Sequence, residues 1–207
     1  MLNSPFFRLV FLALVICLLI AGGCATTESA RFYTLSSLAI PGPEAEAVDR
    51  SVAIGVGPIK LPEHLDRPQI VTRTSRNELE LAEFDRWAGS LGDDFSRVLA
   101  ENLSILLSTH RVSIYPWRKS VPVEYQVVVD VARFDGELGK NASLIARWSI
   151  FGGRDKKMLF MEKSRISDPA LARDYESMVA AQSRALGHLS REIADAIEAI
   201  SRKGPNQ

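Results

Sequence analysis

Three apolar runs joined by two short turns constrain the fold of this chain more than any other feature of its sequence. The runs are VEYQVVVDVARFDG, ASLIARWSIFGG and KKMLFMEKSRI, and the stretches that separate them are DGELGKN and GGRD. Glycine, aspartate and asparagine favour tight reversals of the backbone. The pattern therefore predicts a three-stranded antiparallel meander between Val123 and Ile166.

Shorter strands are predicted before the meander, at RFYTL (31–35), SVAIGVGPI (51–59) and RVSIYPW (111–117). A hairpin is predicted from Pro68 to Phe84 about the turn TSRN, because apolar and polar residues alternate on both sides of it. Gly55 and Gly57 in GVGPIK suit a strand bend or a close backbone approach. Pro58 spoils the helix start that a phosphate-binding loop would need.

A first helix is predicted from Ser90 to Ser108, where apolar residues recur at spacings of three and four. Asn102 interrupts the apolar stripe of this helix. It is interpreted as a buried amide that hydrogen-bonds to neighbouring backbone, and the alternative is a polar group facing a ligand groove.

A second helix is predicted to begin at about Asp168 or Asp174, with Pro169 suited to a first helical position, and to end at Arg202. Its apolar face is interpreted as core, with Met178, Ala185, Leu189, Ile193, Ala196 and Ile200 on one stripe. The order of elements predicts a single α+β domain, in which a mixed, mainly antiparallel sheet is packed by two main helices.

The thirteen uncharged residues from Leu9 to Ala21 are too few to span a bilayer and fit the hydrophobic region of a secretory signal. An uncleaved signal anchor is the alternative. The run ends in Ala21-Gly22-Gly23-Cys24, which resembles the bacterial lipobox, with Ala21 where leucine is usual. We therefore expect a lipoprotein signal peptide over residues 1–23, a lipidated tether over 24–30 and the folded domain over 31–203.

Cys24 is predicted to carry a diacylglyceryl group through its thiol, with further fatty acyl chains such as palmitate. Cys17 lies in the predicted signal peptide, so the mature chain would contain no disulfide and no free thiolate, and no cofactor is expected beyond the covalent lipid. The next residue is Ala25 and not aspartate, which by resemblance to Gram-negative lipoproteins implies the periplasmic face of the outer membrane. Seven residues from Cys24 to Arg31 reach at most about 25 Å, so the domain must sit close to the membrane.

Charge and motifs argue against several classes of function. Without residues 1–23, whose only charged side chain is Arg8, the chain has 24 basic and 25 acidic residues, which gives no general attraction to nucleic acid. The three histidines, at 64, 110 and 188, lack the spacing of a metal site, so none is expected.

Carboxylates close in sequence leave one enzymatic alternative open, a periplasmic hydrolase that uses paired acids. The candidates are Asp93 with Asp94, and Glu78 with Glu80 and Glu83. Exposed acidic faces leave the same pattern in a sequence, and we favour that interpretation. The chain is predicted to be a binding protein and not an enzyme.

The stretch GPIKLPEHLDRPQIVTRTSRNELELAEFDRWAGSL resembles the PqiC/YmbA-type lipoproteins, auxiliary lipoprotein components of ABC-type transport systems. The resemblance continues through LAENLSILL, VSIYPW, YQVVVDVARFDG, ARWSI and MVAAQSRALGHLSREIADAI. It implies an outer-membrane lipoprotein that works beside MCE-domain proteins, which form lipid-conducting tunnels between the membranes. The implied role is a non-catalytic accessory in lipid transport that supports membrane integrity.

The region expected to contact the MCE-domain protein is the loop LPEHLDRP, from Leu61 to Pro68, together with Phe84 and Trp87. Prolines hold such a loop extended, and a partly exposed leucine or aromatic side chain can anchor an interface. The residues named for this contact are Leu61, Pro62, Leu65, Phe84 and Trp87. Trp87 has a favoured alternative, in which it closes the core. The sequence leaves open the transported lipid, the direction of transport and whether the domain forms a homo-oligomer.

Overall fold

The computed structural model describes residues 28–38, 52–118 and 120–203, so Cys24 and the predicted signal peptide lie outside the described residues. The strands are β1 (Arg31–Tyr33), β2 (Ile54–Lys60), β3 (Gln69–Arg73), β4 (Leu79–Trp87), β5 (Val112–Ile114), β6 (Tyr125–Glu137), β7 (Asn141–Gly152) and β8 (Met158–Pro169). The helices are α1 (Leu91–Leu106) and α2 (Tyr175–Lys203), and a short 3-10 turn covers Glu63–Leu65. The predicted α+β class with two main helices is confirmed.

The strands form two mixed sheets where the sequence suggested one. The larger sheet has the order β5-β2-β6-β7-β8, and the smaller has the order β1-β4-β3. The predicted meander is the antiparallel β6-β7-β8 half of the larger sheet, and the predicted hairpin is the antiparallel pair β3-β4. The sheets are joined where Arg73 of β3 donates from Nη2 to Oδ2 of the buried Asp135 of β6 at 2.8 Å.

Helix α1 forms where the apolar spacing predicts it. The Ser90 side chain caps its first turn by accepting a hydrogen bond from the backbone nitrogen of Asp93 at 3.3 Å. The buried face includes Phe95, whose ring meets that of Phe134 edge to face at 5.3 Å. Removing a ring buried in this way typically costs about 3–5 kcal/mol, so this contact is a main tie between α1 and the larger sheet.

Helix α2 begins after Asp174, whose side chain accepts a hydrogen bond from the backbone nitrogen of Ser177 at 2.7 Å. Of the two predicted starts, the one at Asp168 is wrong, because Asp168 and Pro169 remain in β8 and pair with Ala142 and Asn141. The predicted core face of the helix is confirmed, since Met178, Ala185, Leu189 and Ile193 are fully buried and Ala196 and Ile200 pack partly buried against the core.

No helix within residues 28–38, 52–118 and 120–203 is both long enough and apolar enough to cross a membrane.

Candidate functional site

Besides its backbone pairing with β4, the strand next to the predicted tether is attached through a buried carboxylate, that of Asp85 in β4. Arg31 donates to its two oxygens at 2.8 and 2.9 Å, and the Tyr33 hydroxyl donates to Oδ1 at 2.7 Å. Burial raises the pKa of Asp85, but the hydrogen bonds from Arg31 and Tyr33 outweigh it and hold that pKa below its ordinary value. Burial and the bond to Asp85 raise the pKa of Tyr33 to about 12. At neutral pH the cluster therefore contains a carboxylate, a guanidinium and a neutral phenol.

Asp94, in the first turn of α1, makes a second attachment to the same segment. Its Oδ2 accepts from the backbone nitrogen of Leu35 at 2.6 Å and from the Thr34 hydroxyl at 2.9 Å. Arg97, one turn further along the helix, donates to its other oxygen. Of the two neighbouring acids, only Asp93 fits the expectation of an exposed acidic face.

Asn102 makes a third attachment, between the two helices. Its side-chain oxygen accepts from the backbone nitrogen of Leu38 at 2.7 Å, and its nitrogen donates to the hydroxyl of Ser190 at 3.0 Å. Asn102 is fully buried, so the interpretation as a hydrogen-bonded buried amide is confirmed. Its backbone partner belongs to the N-terminal segment, which the helical periodicity alone could not reveal.

The remaining carboxylates singled out in the sequence lie along the β3-β4 hairpin. Glu78 accepts a hydrogen bond from the Thr74 hydroxyl at 2.7 Å, and Glu83 is exposed. Glu80 borders an open cleft of about 470 Å³, which is lined by three segments: Thr72–Thr74, Glu137–Lys140 and Leu171–Arg173. The cleft carries charges of both signs.

The three histidines do not come together in one site. His188 is half-exposed, with Nε2 3.5 Å from the Asp168 carboxylate, and His64 lies in the loop between β2 and β3. Within residues 28–38, 52–118 and 120–203, no three histidine, cysteine, aspartate or glutamate side chains are arranged to hold a metal ion.

The proposed contact loop packs partly into the core. Leu65 and Trp87 are only 2% and 5% exposed, whereas Leu61, Pro62 and Phe84 are half-buried. The burial of Trp87 agrees with its favoured interpretation as a residue that closes the core. Only Leu61, Pro62 and Phe84 of the five predicted contact residues present side-chain surface to a partner.

Two nitrogens of the same loop have unused hydrogen-bonding capacity. Among the described residues, neither Nε2 of His64 nor Nε of Arg67 has a hydrogen-bond partner, although both atoms are buried. Buried polar atoms are usually paired, so such atoms call for a partner. Neither nitrogen has exposed surface, so neither is accessible to a partner in this conformation of the loop.

A second apolar surface lies beside β5, where the sequence indicated only a short strand. Tyr115 is 53% exposed, and its ring meets that of Trp117 edge to face at 5.6 Å. A Cβ atom on Gly55 would lie 2.7 Å from the Trp117 ring, and one on Gly57, whose φ is +116°, would lie 2.8 Å from Cβ of Tyr115. The close approach expected at these two glycines is thus made by the side chains of Trp117 and Tyr115.

Known proteins resemble this chain in sequence and in fold. A family model described as "ABC-type transport auxiliary lipoprotein component" matches residues 33–194. A crystal structure of a protein described only as uncharacterized has a TM-score of 0.67 at 18% identity and covers 82% of this chain and 99% of its own. A Xanthomonas campestris protein assigned to the DUF330 family model has a TM-score of 0.63 at 17% identity, with coverages of 83% and 99%. At these identities the likeness concerns the fold alone. No curated protein sequence matches the chain.

Proposed function

This chain belongs to the family of ABC-type transport auxiliary lipoprotein components, and from that membership we propose that it is an outer-membrane lipoprotein facing the periplasm. It serves an MCE/ABC-type intermembrane lipid transport system as a non-catalytic accessory that supports membrane integrity. The observation that carries this proposal is the family match over residues 33–194, which begins nine residues after the lipobox-like Cys24.

The contacts of the N-terminal segment support the anchoring half of the proposal. Asp85, Asp94 and Asn102 bind three successive parts of residues 31–38, so the link from Cys24 to the domain ends in a fixed position. Two or three acyl chains, at about 0.8 kcal/mol for each buried methylene, make such attachment effectively permanent. A domain fixed at the end of a short anchored link is held in the thin layer where a partner meets the membrane.

Substitution of the lipidated residue tests the anchor. We expect the Cys24→Ser chain to incorporate no labelled palmitate and to be absent from the outer-membrane fraction, because serine offers no thiol for the thioether. The wild-type chain, expressed at the same level, is expected to be labelled and to sediment with the outer membrane. Equal labelling of the two chains would refute the anchor.

We further propose that the partner, an MCE-domain protein, contacts the loop from Leu61 to Pro68 together with Phe84. The half-buried Leu61, Pro62 and Phe84 supply apolar surface, and the exposed Glu63 and Asp66 of the same loop supply polar groups beside it. Leu65 and Trp87 support the loop from inside the core. Apolar anchors with adjacent polar groups are a common composition of protein interfaces.

Phe84 and Leu81 give a matched pair of variants for this contact, since both are apolar residues of β4 with exposed surface. We expect Phe84→Ser to weaken capture of the chain by a purified MCE-domain protein by on the order of 10-fold, as for loss of a moderate interface anchor. Leu81→Ser, outside the proposed contact, is expected to leave capture unchanged. The proposal for this surface fails if the two variants bind alike while both keep the wild-type unfolding midpoint.

A further inference from the structure

The predicted tether approaches the domain from the end of the molecule where three loops meet, and it joins the sheet at Arg31, opposite Asp85 of β4. Strand β1 is parallel to β4, so the chain before Arg31 comes from the side where β4 begins, which is the side of the β3-β4 turn. That turn, the β6-β7 turn and the loop between β8 and α2 border one open cleft. Thr72 lines the cleft and hydrogen-bonds to Tyr175. The charges of Arg31 and Asp85 both act on the pKa of the Tyr175 hydroxyl, so this tyrosine links the cleft to the strand that follows the tether.

One large apolar side chain at this end lies outside the core. Leu171, in the loop before α2, is 85% exposed, the most of any large hydrophobic side chain among the described residues. The exposed cations Arg76, Lys140 and Arg173 stand in the same three loops. We call the surface formed by Arg76, Lys140, Leu171 and Arg173 the basal surface.

The length of the tether decides which end of the domain can meet the membrane. Glu28, the first described residue, is four positions after Cys24, and these four steps span at most about 14 Å. Strand β8 is roughly 37 Å long. Its last residue, Pro169, lies beside the basal surface, and its first residue, Met158, lies at the opposite end. An anchored chain can therefore bring its basal end to the lipid headgroups, while Met158 stays too far away to reach them.

We propose that the basal surface lies against the membrane, with Leu171 inserted among the phospholipid headgroups and Arg76, Lys140 and Arg173 beside their phosphates. The inference rests on the proposed lipidation of Cys24. Lys140 is paired with Glu137, and Asp174 and Glu78 lie near the same loops, so the local charge is nearly balanced. The contact is accordingly held by the tether and by Leu171, and it depends little on salt.

A fluorescent label on each end of β8 tests this orientation. Leu171→Cys and Met158→Cys are made in the full lipidated chain, labelled with the dye NBD and reconstituted in vesicles of phosphatidylethanolamine and phosphatidylglycerol. Both positions are exposed and apolar, at 85% and 46%, so both variants should fold. We expect the label at 171 to shift to the blue and to be quenched several-fold by headgroup-nitroxide lipids, and the label at 158 to behave as it does without vesicles. The wild-type chain treated with the same dye reports any label on Cys24.

The other outcomes separate this inference from the proposed function. A chain that floats with the vesicles but shows no lipid quenching at 171, or equal quenching at both positions, overturns the orientation and leaves the anchor intact. A blue shift at 171 without lipid quenching means that a second protein copy covers Leu171, which also overturns it. A chain that does not float with the vesicles overturns the anchor and the orientation together.

Discussion

A chain that begins at Ala25, secreted behind a cleavable signal of a non-lipoprotein, is expected to fold normally and to complement a deletion strain poorly. All described core residues follow Tyr33, beginning with Leu35, so removal of the lipid takes nothing from the core. The proposed contact loop is also intact. The variant therefore separates the contribution of the anchor from that of the domain.

The expected loss is one of local concentration and not of contacts. An anchor confines the domain and its partner to one thin layer, and the loss of such confinement weakens apparent association by roughly 10²-fold or more. We expect capture by a purified MCE-domain protein at high concentration, together with detergent resistance well below wild type in cells at native expression. Strong overexpression of the same chain should restore part of the resistance by mass action.

Complementation in full at native expression would contradict this account, because the anchor would then be dispensable. The Cys24→Ser chain is the weaker comparison, since its signal peptide can remain uncleaved and hold it in the inner membrane. A circular dichroism spectrum and a cooperative unfolding transition for the Ala25 chain confirm that poor complementation does not come from misfolding.

The sequence predicted those parts of the fold that local periodicity determines. The meander, the β3-β4 hairpin and both helices were found because period-two and period-3.6 patterns are written in consecutive residues. The start of α2 was ambiguous for a local reason, since Asp168 and Asp174 are both good N-caps. Pairing of β8 with β7 up to Pro169 resolved it, and that pairing is a tertiary contact.

Features that depend on contacts between distant residues were missed. Asp85 sits in an alternating strand and gives no local sign that it binds Arg31 and Tyr33, more than fifty residues away. The division into two sheets was missed for the same reason, because it depends on which strands pair and not on which strands form. In the contact loop, the motif LPEHLDRP has the composition of an exposed turn, yet Leu65 fills the core.

The exposure of apolar residues at the surface could not be predicted from the sequence either. Leu171 and Tyr115 stand in short segments with no period, so nothing in the sequence distinguishes them from core residues. Their exposure follows from where β8 and β5 end, which only the assembled sheet determines. Sequence patterns thus predicted the helices and strands better than they predicted which side chains are exposed.

Replacement of Asp85 by alanine is expected to loosen the strand that connects the anchor to the domain. Hydrogen bonds to charged groups contribute about 1.5–3 kcal/mol each, and we take the low end because Arg31 is 58% exposed and can return to water. The free energy of unfolding should fall by about 2 kcal/mol, an effect of about 30-fold on an opening equilibrium. Glu83→Ala, on the same strand but exposed, is the matched control and should unfold as wild type does.

Limited trypsin digestion of the lipidated chain on vesicles gives this effect a functional measure. Cleavage after Arg31 frees the domain from its anchor, and its rate follows the population of the open strand when reclosing is fast. We expect release of the domain, identified by its new N-terminus at Phe32, to be on the order of 30-fold faster for Asp85→Ala than for wild type or Glu83→Ala. The free energy of unfolding of the wild-type chain, measured in urea, should fall in acid: the pKa of Asp85 is depressed on folding, so its contribution is complete above its ordinary pKa of about 3.9 and disappears as the pH falls below it. Asp85→Ala lacks this carboxyl and should lose that part of the acid dependence. Equal release from all three chains at neutral pH would mean that Asp85 does not hold the strand, and the fixed link between anchor and domain would have to come from the β1-β4 pairing, Asp94 and Asn102.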